Sequence, residues 1–182
     1  MIEPKELFGQ LGNQMFQMAF LYSMFLDGKI PDFYLQDEQY FARHSSRIKA
    51  LYRSGIGRIE KVAIHVRRTD YVDNRFYVDL MKTDYYERAM KEFPNAQFLV
   101  FSDDINWCKQ QPIFKDCEFS EGLNRIDDLN RMASCIGHII ANSSYSWWGA
   151  YLSPNRGLVI APKAWYNDGE ERTKLPAKWK RI

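Results

Sequence analysis

Lys61-Val62-Ala63-Ile64-His65-Val66-Arg67-Arg68-Thr69-Asp70 is the stretch on which the fold turns. Its apolar run is β-branched and too short for a helix, and the breaker-rich Ser54-Gly55-Ile56-Gly57 precedes it, so it reads as a buried strand. Two arginines at the carboxyl end of such a strand are costly unless an anion or a carboxylate meets them. An ion pair of Arg67 or Arg68 with Asp70 would satisfy them structurally, and a bound anion would satisfy them functionally.

C-terminal to this strand, Tyr71 to Met81 has the aromatic and polar make-up of a loop. Asp84-x-x-Glu87 resembles a capping box opening a helix to about Phe93, stopped by Pro94-Asn95. Gln97 to Phe101 is a second apolar strand, followed by Ser102-Asp103-Asp104 and a short helix over Ile105 to Gln110. Cys117-Glu118-Phe119 is a weak third strand, followed by Ser120-Glu121-Gly122. Asn124 to Cys135 predicts a helix with Ile126, Leu129, Met132 and Ala133 on one face. His138 to Ala141 is a fourth strand, running into Asn142-Ser143-Ser144, and Leu158 to Ala161 is a fifth.

Strand and helix thus alternate from residue 58 onward, which implies a parallel sheet with helices on both faces. Ligands of such sheets bind outside the carboxyl ends of the strands. Arg67-Arg68, Ser102-Asp103-Asp104 and Ser143-Ser144 all fall on that rim, so a nucleotide-type site is expected there.

On the N-terminal side, Gly9-Gln10-Leu11-Gly12-Asn13-Gln14 is a glycine-bearing turn feeding a helix over Met15 to Leu26 that ends at Asp27-Gly28. Free N–H groups at that helix start would suit an anion or a sugar; helix capping by Asn13 and Gln14 is the other reading. Phe33-Tyr34-Leu35 suggests a short strand, and Gln39 to Tyr52 a helix with a basic side at Arg43, Arg47, Lys49 and Arg53. Ser54 to Arg58 marks the expected boundary between residues 1–57 and 58–182.

The 182 residues are 46% apolar and 26% charged, which fits one good-sized domain or two small lobes with length enough to bury a core. A net charge of +2 gives little support to nucleic-acid binding, where a basic stripe is expected. Aromatic content of 15% suits a packed core and also a sugar-handling site. Cys108, Cys117 and Cys135 are odd in number and irregularly spaced, against a disulfide framework or zinc site and in keeping with a reducing compartment. The charged start Met1-Ile2-Glu3-Pro4-Lys5-Glu6 shows no signal peptide. Met15 to Leu26 falls short of the roughly 20 apolar residues that cross a bilayer. A cytoplasmic chain with no integral membrane segment is expected.

Ser143, Ser144 and Ser146 sit where a helix begins, so hydroxyls and N–H groups can converge on a phosphate. An N-cap accounts for one of the three. Arg67 would add a charge-assisted contact to the same anion. Asp128 can accept two hydrogen bonds from N1 and N2 of a guanine, or pair with Arg125 or Arg131. His65 is either a satisfied core histidine or part of the site. No Asp-x-Asp ends a strand and Asp168-x-Glu170 lies in a polar tail. Protein cations, rather than a divalent metal, would then neutralise a leaving diphosphate. Neither a Gly-x-Ser-x-Gly elbow nor a Walker loop is present.

Four segments taken together are specific: Leu11-Gly12-Asn13-Gln14-Met15-Phe16-Gln17, Ile64-His65-Val66-Arg67-Arg68-Thr69-Asp70-Tyr71, Phe101-Ser102-Asp103-Asp104, and Ala141-Asn142-Ser143-Ser144-Tyr145-Ser146-Trp147-Trp148-Gly149-Ala150. In this order they closely resemble the family 11 glycosyltransferases, the α-1,2-fucosyltransferases, and Ile160-Ala161-Pro162-Lys163-x-Trp165 extends the match. The resemblance implies an α/β, GT-B-like fold, with a doubly wound parallel-sheet donor lobe and here a reduced N-terminal, acceptor-side lobe. It implies metal-independent, inverting transfer of fucose from GDP-fucose to the 2-hydroxyl of a terminal galactose, with no cofactor beyond the donor substrate. Arg67 would hold the β-phosphate with Ser144 beside it, His65 and Asp128 would lie near the guanine, and Asn13 would line the fucose side. The donor-binding set so expected is Gly12, Asn13, Gln14, His65, Arg67, Arg68, Asp70, Ser102, Asp103, Asp104, Asp128, Asn142, Ser143 and Ser144.

Asp70, Asp103 and the Asp37–Glu38 pair are the candidates for general base. Thr69 stands where the family more often has glycine, and the span from Gly12 to His65 is shorter than in typical members. A non-catalytic GDP-sugar or glycan-binding module is therefore the second reading, and a nucleotide binder with another donor the third. Self-association is left open. Trp147 and Trp148 are expected to pack the last helix on the sheet, with acceptor stacking as the lesser reading.

Overall fold

The computed structural model of the chain describes residues 9–27, 37–53 and 55–182. The strand expected at Phe33-Tyr34-Leu35, the residues before Gly9 and the helix stop at Gly28 lie outside the described residues.

Among the described residues six strands form one sheet: β1 (Ile59–Val66), β2 (Phe98–Ser102), β3 (Glu118–Phe119), β4 (Cys135–Ile139), β5 (Val159–Ala161) and β6 (Lys180–Arg181). Every neighbouring pair is parallel, and the order is β3-β2-β1-β4-β5-β6. Helices α1 (Leu11–Leu26), α2 (Ser45–Tyr52), α3 (Tyr85–Lys91), α4 (Ile105–Cys108), α5 (Arg125–Ala133) and α6 (Ser144–Leu152) connect and cover it. Ile64 lies between Val100 of β2 and Ile139 of β4, at the sheet centre. The chain builds outward from β1 to β3, then returns to the other side of β1 with β4. That reversal opens a crevice at the carboxyl ends of β1 and β4, the place where open parallel sheets hold ligands.

Side chains sort by the period of two along each strand. Val62, Ile64 and Val66 join Val100, Ile139 and Ile160 in one cluster with Tyr85, Tyr86 and Ala89 of α3. Ala63 turns the other way, with Leu99 and Phe101, against Met132 of α5. Beyond it, Phe16 of α1, Phe41 and Ile48 of α2 meet Trp147 and Trp148 of α6. The Phe16 ring lies 4.5 Å from Trp147 and 5.0 Å from Trp148, while Phe41 stacks on Trp148 at 5.7 Å. Both tryptophans have no exposure, so their role is packing.

Several expected bounds shift for local reasons. The helix expected over Gln39–Tyr52 breaks at Phe41, whose φ of −135° interrupts it while the ring is fully buried in the aromatic cluster. Short 3-10 turns over Glu38–Tyr40 and Ala42–His44 precede α2 instead. Burying a phenylalanine outweighs one continuous helical turn. The capping box at Asp84 does not form: the carboxylate pairs with Arg88 at 3.0 Å, and Thr83 Oγ1 accepts the Tyr85 N–H at 3.2 Å. Asn124 caps α5 from outside, and β4 begins at Cys135, earlier than expected. Ile126, expected on the buried face of α5, is 61% exposed.

β6 adds to the five strands expected from residue 58 onward. Both its residues are exposed, and it is held by backbone bonds from Ile182 N–H to the Ala161 carbonyl (3.1 Å) and from Lys163 N–H to the Ile182 carbonyl (3.0 Å). No helix among the described residues is long and apolar enough to cross a membrane.

Candidate active site

A cleft of about 860 Å³ opens at the carboxyl rim of the sheet, where β1 and β4 part. Its floor is the end of β1. His65 is on the Ala63 side of the strand, 4% exposed, with its ring 5.6 Å from that of Tyr145 and its Nδ1 without a hydrogen-bond partner among the described residues. Burial pushes the imidazole down to about 4, with Asp103 pulling it back up and Arg67 adding to the fall. His65 is therefore neutral at pH 7.

Arg67 leaves the strand end into the cleft, its side chain 14% exposed. One guanidinium nitrogen meets Asp70 Oδ1 at 2.6 Å, and another meets Asp103 Oδ2 at 3.2 Å. The expected structural pair with Asp70 is thus present, and it involves Arg67 rather than Arg68. Asp103 also accepts the Arg68 N–H at 2.8 Å and the Thr69 hydroxyl, so one carboxylate from β2's end holds the whole turn after β1. Arg68 goes the other way. Its guanidinium lies 3.6 Å over the Trp107 ring and 3.7 Å from Asp79, and it does not line the cleft.

Two helix starts meet above this floor. Gly12, in the first turn of α1, packs so closely on α6 that an added Cβ would lie 2.6 Å from Ser144 and Tyr145 backbone atoms. Beside it the Ser144 hydroxyl donates to Asn13 Oδ1 at 2.8 Å. Ser143 precedes α6, is nearly buried and makes no side-chain cap bond. Free N–H groups of a nine-residue helix therefore face a cleft that also holds Arg67. Ser146 does not take part in that convergence: it is fully buried and donates to the Ser143 carbonyl at 3.1 Å.

Towards β3, Asp128 of α5 accepts from the Ser120 hydroxyl at 2.6 Å, with the Tyr145 hydroxyl 3.3 Å from its other oxygen. Burial holds this carboxyl above the usual carboxylate range. Arg131 reaches the Ser120 oxygen at 3.3 Å. Towards β5, the aromatic rings of Tyr71, Tyr77, Trp165 and Tyr166 line the other end.

Of the expected set, Gly12, Asn13, His65, Arg67, Asp70, Ser102, Asp103, Asp104, Asp128, Ser143 and Ser144 line this single cleft. Gln14, Arg68 and Asn142 do not. Gln14 folds back to donate to the Gly9 carbonyl at 2.9 Å. Asn142 is buried and donates to the Val78 and Trp165 carbonyls, both at 2.9 Å. Ser102 and Asp104 line the cleft while serving local structure, since Ser102 Oγ accepts the Asp104 N–H and Asp104 accepts the Trp107 N–H to cap α4. Asp37 and Glu38 lie outside the cleft, with Asp37 capping a 3-10 turn. Ser120, Arg125, Tyr77 and Tyr166 were not foreseen as site residues, and the aromatic run in the loop after β1 was the one signal that pointed to any of them. Among the described residues no group of three or more His, Cys, Asp or Glu side chains is placed to hold a metal ion.

The family model for glycosyl transferase family 11 matches residues 15–181. The chain belongs to that family. Among curated members of known proteins, an Escherichia coli alpha-1,2-colitosyltransferase is 36% identical over 180 aligned positions, covering 81% of this chain and 60% of the relative. The E. coli O-antigen biosynthesis glycosyltransferase WbnK is 35% identical over 126 positions, covering 62% of this chain and 41% of the relative. This family 11 chain therefore spans about half the length of the curated relatives it matches. Among solved structures, the beta Kdo 2,7 transferase KpsC of Thermosulfurimonas dismutans aligns with 12% identity and a TM-score of 0.46, over 90% of this chain and 51% of that one.

Proposed function

We propose that this glycosyltransferase moves a 6-deoxy-L-hexose, fucose in the first instance, from a GDP-linked donor to the 2-hydroxyl of a terminal galactose, with inversion. The observation that carries the reading is the meeting of Arg67 with the start of α6 in one cleft, at the point where the strand order reverses. Residues 58–182 then serve as the GT-B-like, doubly wound donor unit, and Gly9 to Asn13, at the start of α1, close the cleft from the other side.

In this reading the diphosphate sits between Arg67 and the N–H groups at Ser143–Ser144. As the bond from the sugar's anomeric carbon to the phosphate oxygen breaks, the electron pair stays on GDP. Arg67 and the helix start stabilise that charge from fixed positions, which costs no reorganisation during the step. Arg67 loosens its hold on Asp70, whose side chain is 56% exposed, when the donor binds and before the bond breaks. The acceptor hydroxyl attacks the opposite face of the oxocarbenium-like carbon, and its proton passes to a carboxylate. Asp103 is engaged by Arg67, Arg68 and Thr69. Asp70, once released by the diphosphate, is the freer base. Asp128, with lone pairs beyond its bonds to Ser120 and Tyr145, accepts from the guanine N1 and N2 groups.

A second donor is favoured by the relative named for colitose, which is fucose without its 3-hydroxyl. The three unpaired cysteines fit a cytoplasmic site of action. GDP release from GDP-fucose and from GDP-colitose, each with and without lactose, tests the proposal. Acceptor-dependent release with either donor supports transfer. GDP binding without any release would favour a non-catalytic module, and tighter binding of UDP or ADP than of GDP would overturn the donor assignment.

A further inference from the structure

The geometry points to Tyr77 and Tyr166, backed by Tyr71, as a stacking wall for the pyranose ring of the acceptor. The word acceptor rests on the transferase reading above; the wall as a carbohydrate-binding surface does not.

The sheet supplies a ruler for the cleft, because neighbouring strands stand about 4.8 Å apart. Ser120 and Asp128 stand on the β3 side, Arg67 and Ser144 at the β1–β4 centre, and Trp165 and Tyr166 follow β5 on the far side. A nucleoside diphosphate that spans from Asp128 to Arg67 leaves the β5 end for sugar. Rings step outward from Arg67 in that direction. Its guanidinium is 5.5 Å from the Tyr71 ring centre, Tyr77 is 4.0 Å beyond Tyr71, and Tyr166 is 5.6 Å beyond Tyr77. At 4.0 Å the Tyr71 ring lies against one face of Tyr77 and backs it, while Tyr166, tilted by 38° from Tyr77 at 5.6 Å, continues the surface.

Tyr166 packs in part against the core, yet all three rings keep some exposure and all three line the cleft, so part of each is presented to a ligand. The wall is nevertheless held stiffly. The Tyr71 hydroxyl donates to the Asn142 carbonyl at 3.0 Å. Tyr77 and Tyr166 face each other in an antiparallel bridge, flanked by Val78 N–H to the Trp165 carbonyl (3.2 Å) and Asn167 N–H to the Phe76 carbonyl (2.9 Å). Arg172, outside the cleft and paired with Asp168, stacks on Tyr166 at 4.8 Å. Rigid tyrosines need little ordering when a ligand arrives, so most of the contact energy is kept. A pyranose presents one face of C–H groups, and galactose, with its axial 4-hydroxyl, presents H3, H4 and H5 together. That face matches an uncharged aromatic wall by dispersion and desolvation.

Saturation-transfer NMR of methyl β-D-galactopyranoside on the full chain, with saturating GDP present, tests this. Saturation is expected to be greatest on H3, H4 and H5. Tyr77→Ala and Tyr166→Ala should weaken galactoside affinity by roughly 10-fold, the worth of a lost ring contact. Tyr77→Phe and Tyr166→Phe should keep it, and circular dichroism identifies any variant that fails to fold. If one alanine variant does not fold, the other carries the test. Undiminished saturation in a folded alanine variant would refute the wall, as would galactoside displaced by GDP, because the nucleobase would then occupy the tyrosines. Absence of saturation in the parent chain would refute it too. Galactoside binding on the wall with no transfer from any donor would retire the transferase reading alone. Transfer with an unchanged galactoside KM in Tyr166→Ala would retire the wall alone.

Discussion

The Ser144 hydroxyl donates a 2.8 Å hydrogen bond to Asn13 Oδ1, joining the first turns of two helices that stand 131 residues apart in the chain. The bond fixes which N–H groups of α6 face the cleft. Ser144→Ala and Asn13→Ala should each cost about 1 kcal/mol of stability. In a double-mutant cycle the pair should show a coupling of about 0.5–1.5 kcal/mol. Urea unfolding of the four proteins measures it, and strict additivity would show that the bond contributes nothing.

Gly12 makes the same junction from the other side. An alanine there would bring its Cβ to 2.6 Å from backbone atoms that cannot swing away. Overpacking of this kind costs about 1–3 kcal/mol. Gly12→Ala should therefore lower the melting temperature and also shrink the shift that GDP produces. A melting curve with and without GDP separates the two effects, and an unaltered GDP shift would detach α1 from the ligand site.

Arg67→Ala should reduce turnover by about 10²-fold or more, the usual scale for losing one preorganised charge donor. Arg67→Lys should rescue little of it. With one guanidinium nitrogen held by Asp103 and another turned from Asp70 to the diphosphate, the planar fork serves both, and an ammonium cannot reproduce it. Single-turnover rates decide the matter, and a lysine variant at half the parent rate would contradict it.

Stability should fall in mild acid. Burial holds His65 and His138 down to about 4, against an ordinary value of 6.5, so both are neutral in the folded chain at pH 7. The unfolded chain binds protons near 6.5. Stability from these groups is therefore complete above that pH and is lost as pH falls from about 6.5 towards 4, by at most about 1.4 kcal/mol per pH unit for each histidine. Asp128 works in the opposite sense, because burial raises its carboxyl. Urea midpoints should be level above pH 7 and decline below 6.5, and His138→Gln should remove about half of the slope. A midpoint unchanged between pH 7 and pH 5 would rule out both buried imidazoles.

What the sequence revealed, and what it hid, follows from how local each signal is. β1, β2 and β4 are apolar runs ending in polar clusters, so Arg67, Asp103 and Ser144 announced a shared rim before any geometry was known. Arg67 and Arg68 look equivalent in the chain. Their separation depends on Asp103 and Trp107, more than thirty residues away, which pull the turn and the second guanidinium apart. Asp104 resembles its neighbour Asp103 but is taken up in capping α4. β6 was silent because two exposed charged residues carry no apolar pattern. Tyr77 and Tyr166 meet only through a bridge between loops remote in sequence, which no periodicity encodes.

The interlocked rings of Phe16, Phe41, Trp147 and Trp148 have a mechanical consequence. α1 and α6 share one aromatic joint, so the two helix starts that border the cleft are coupled and cannot scissor apart along that seam. The far end of the cleft is bordered by a separate unit, the ribbon that pairs residues 76–78 with 165–167. Substitutions in that ribbon leave the joint between α1 and α6 untouched, so the two ends of the cleft can change independently of each other.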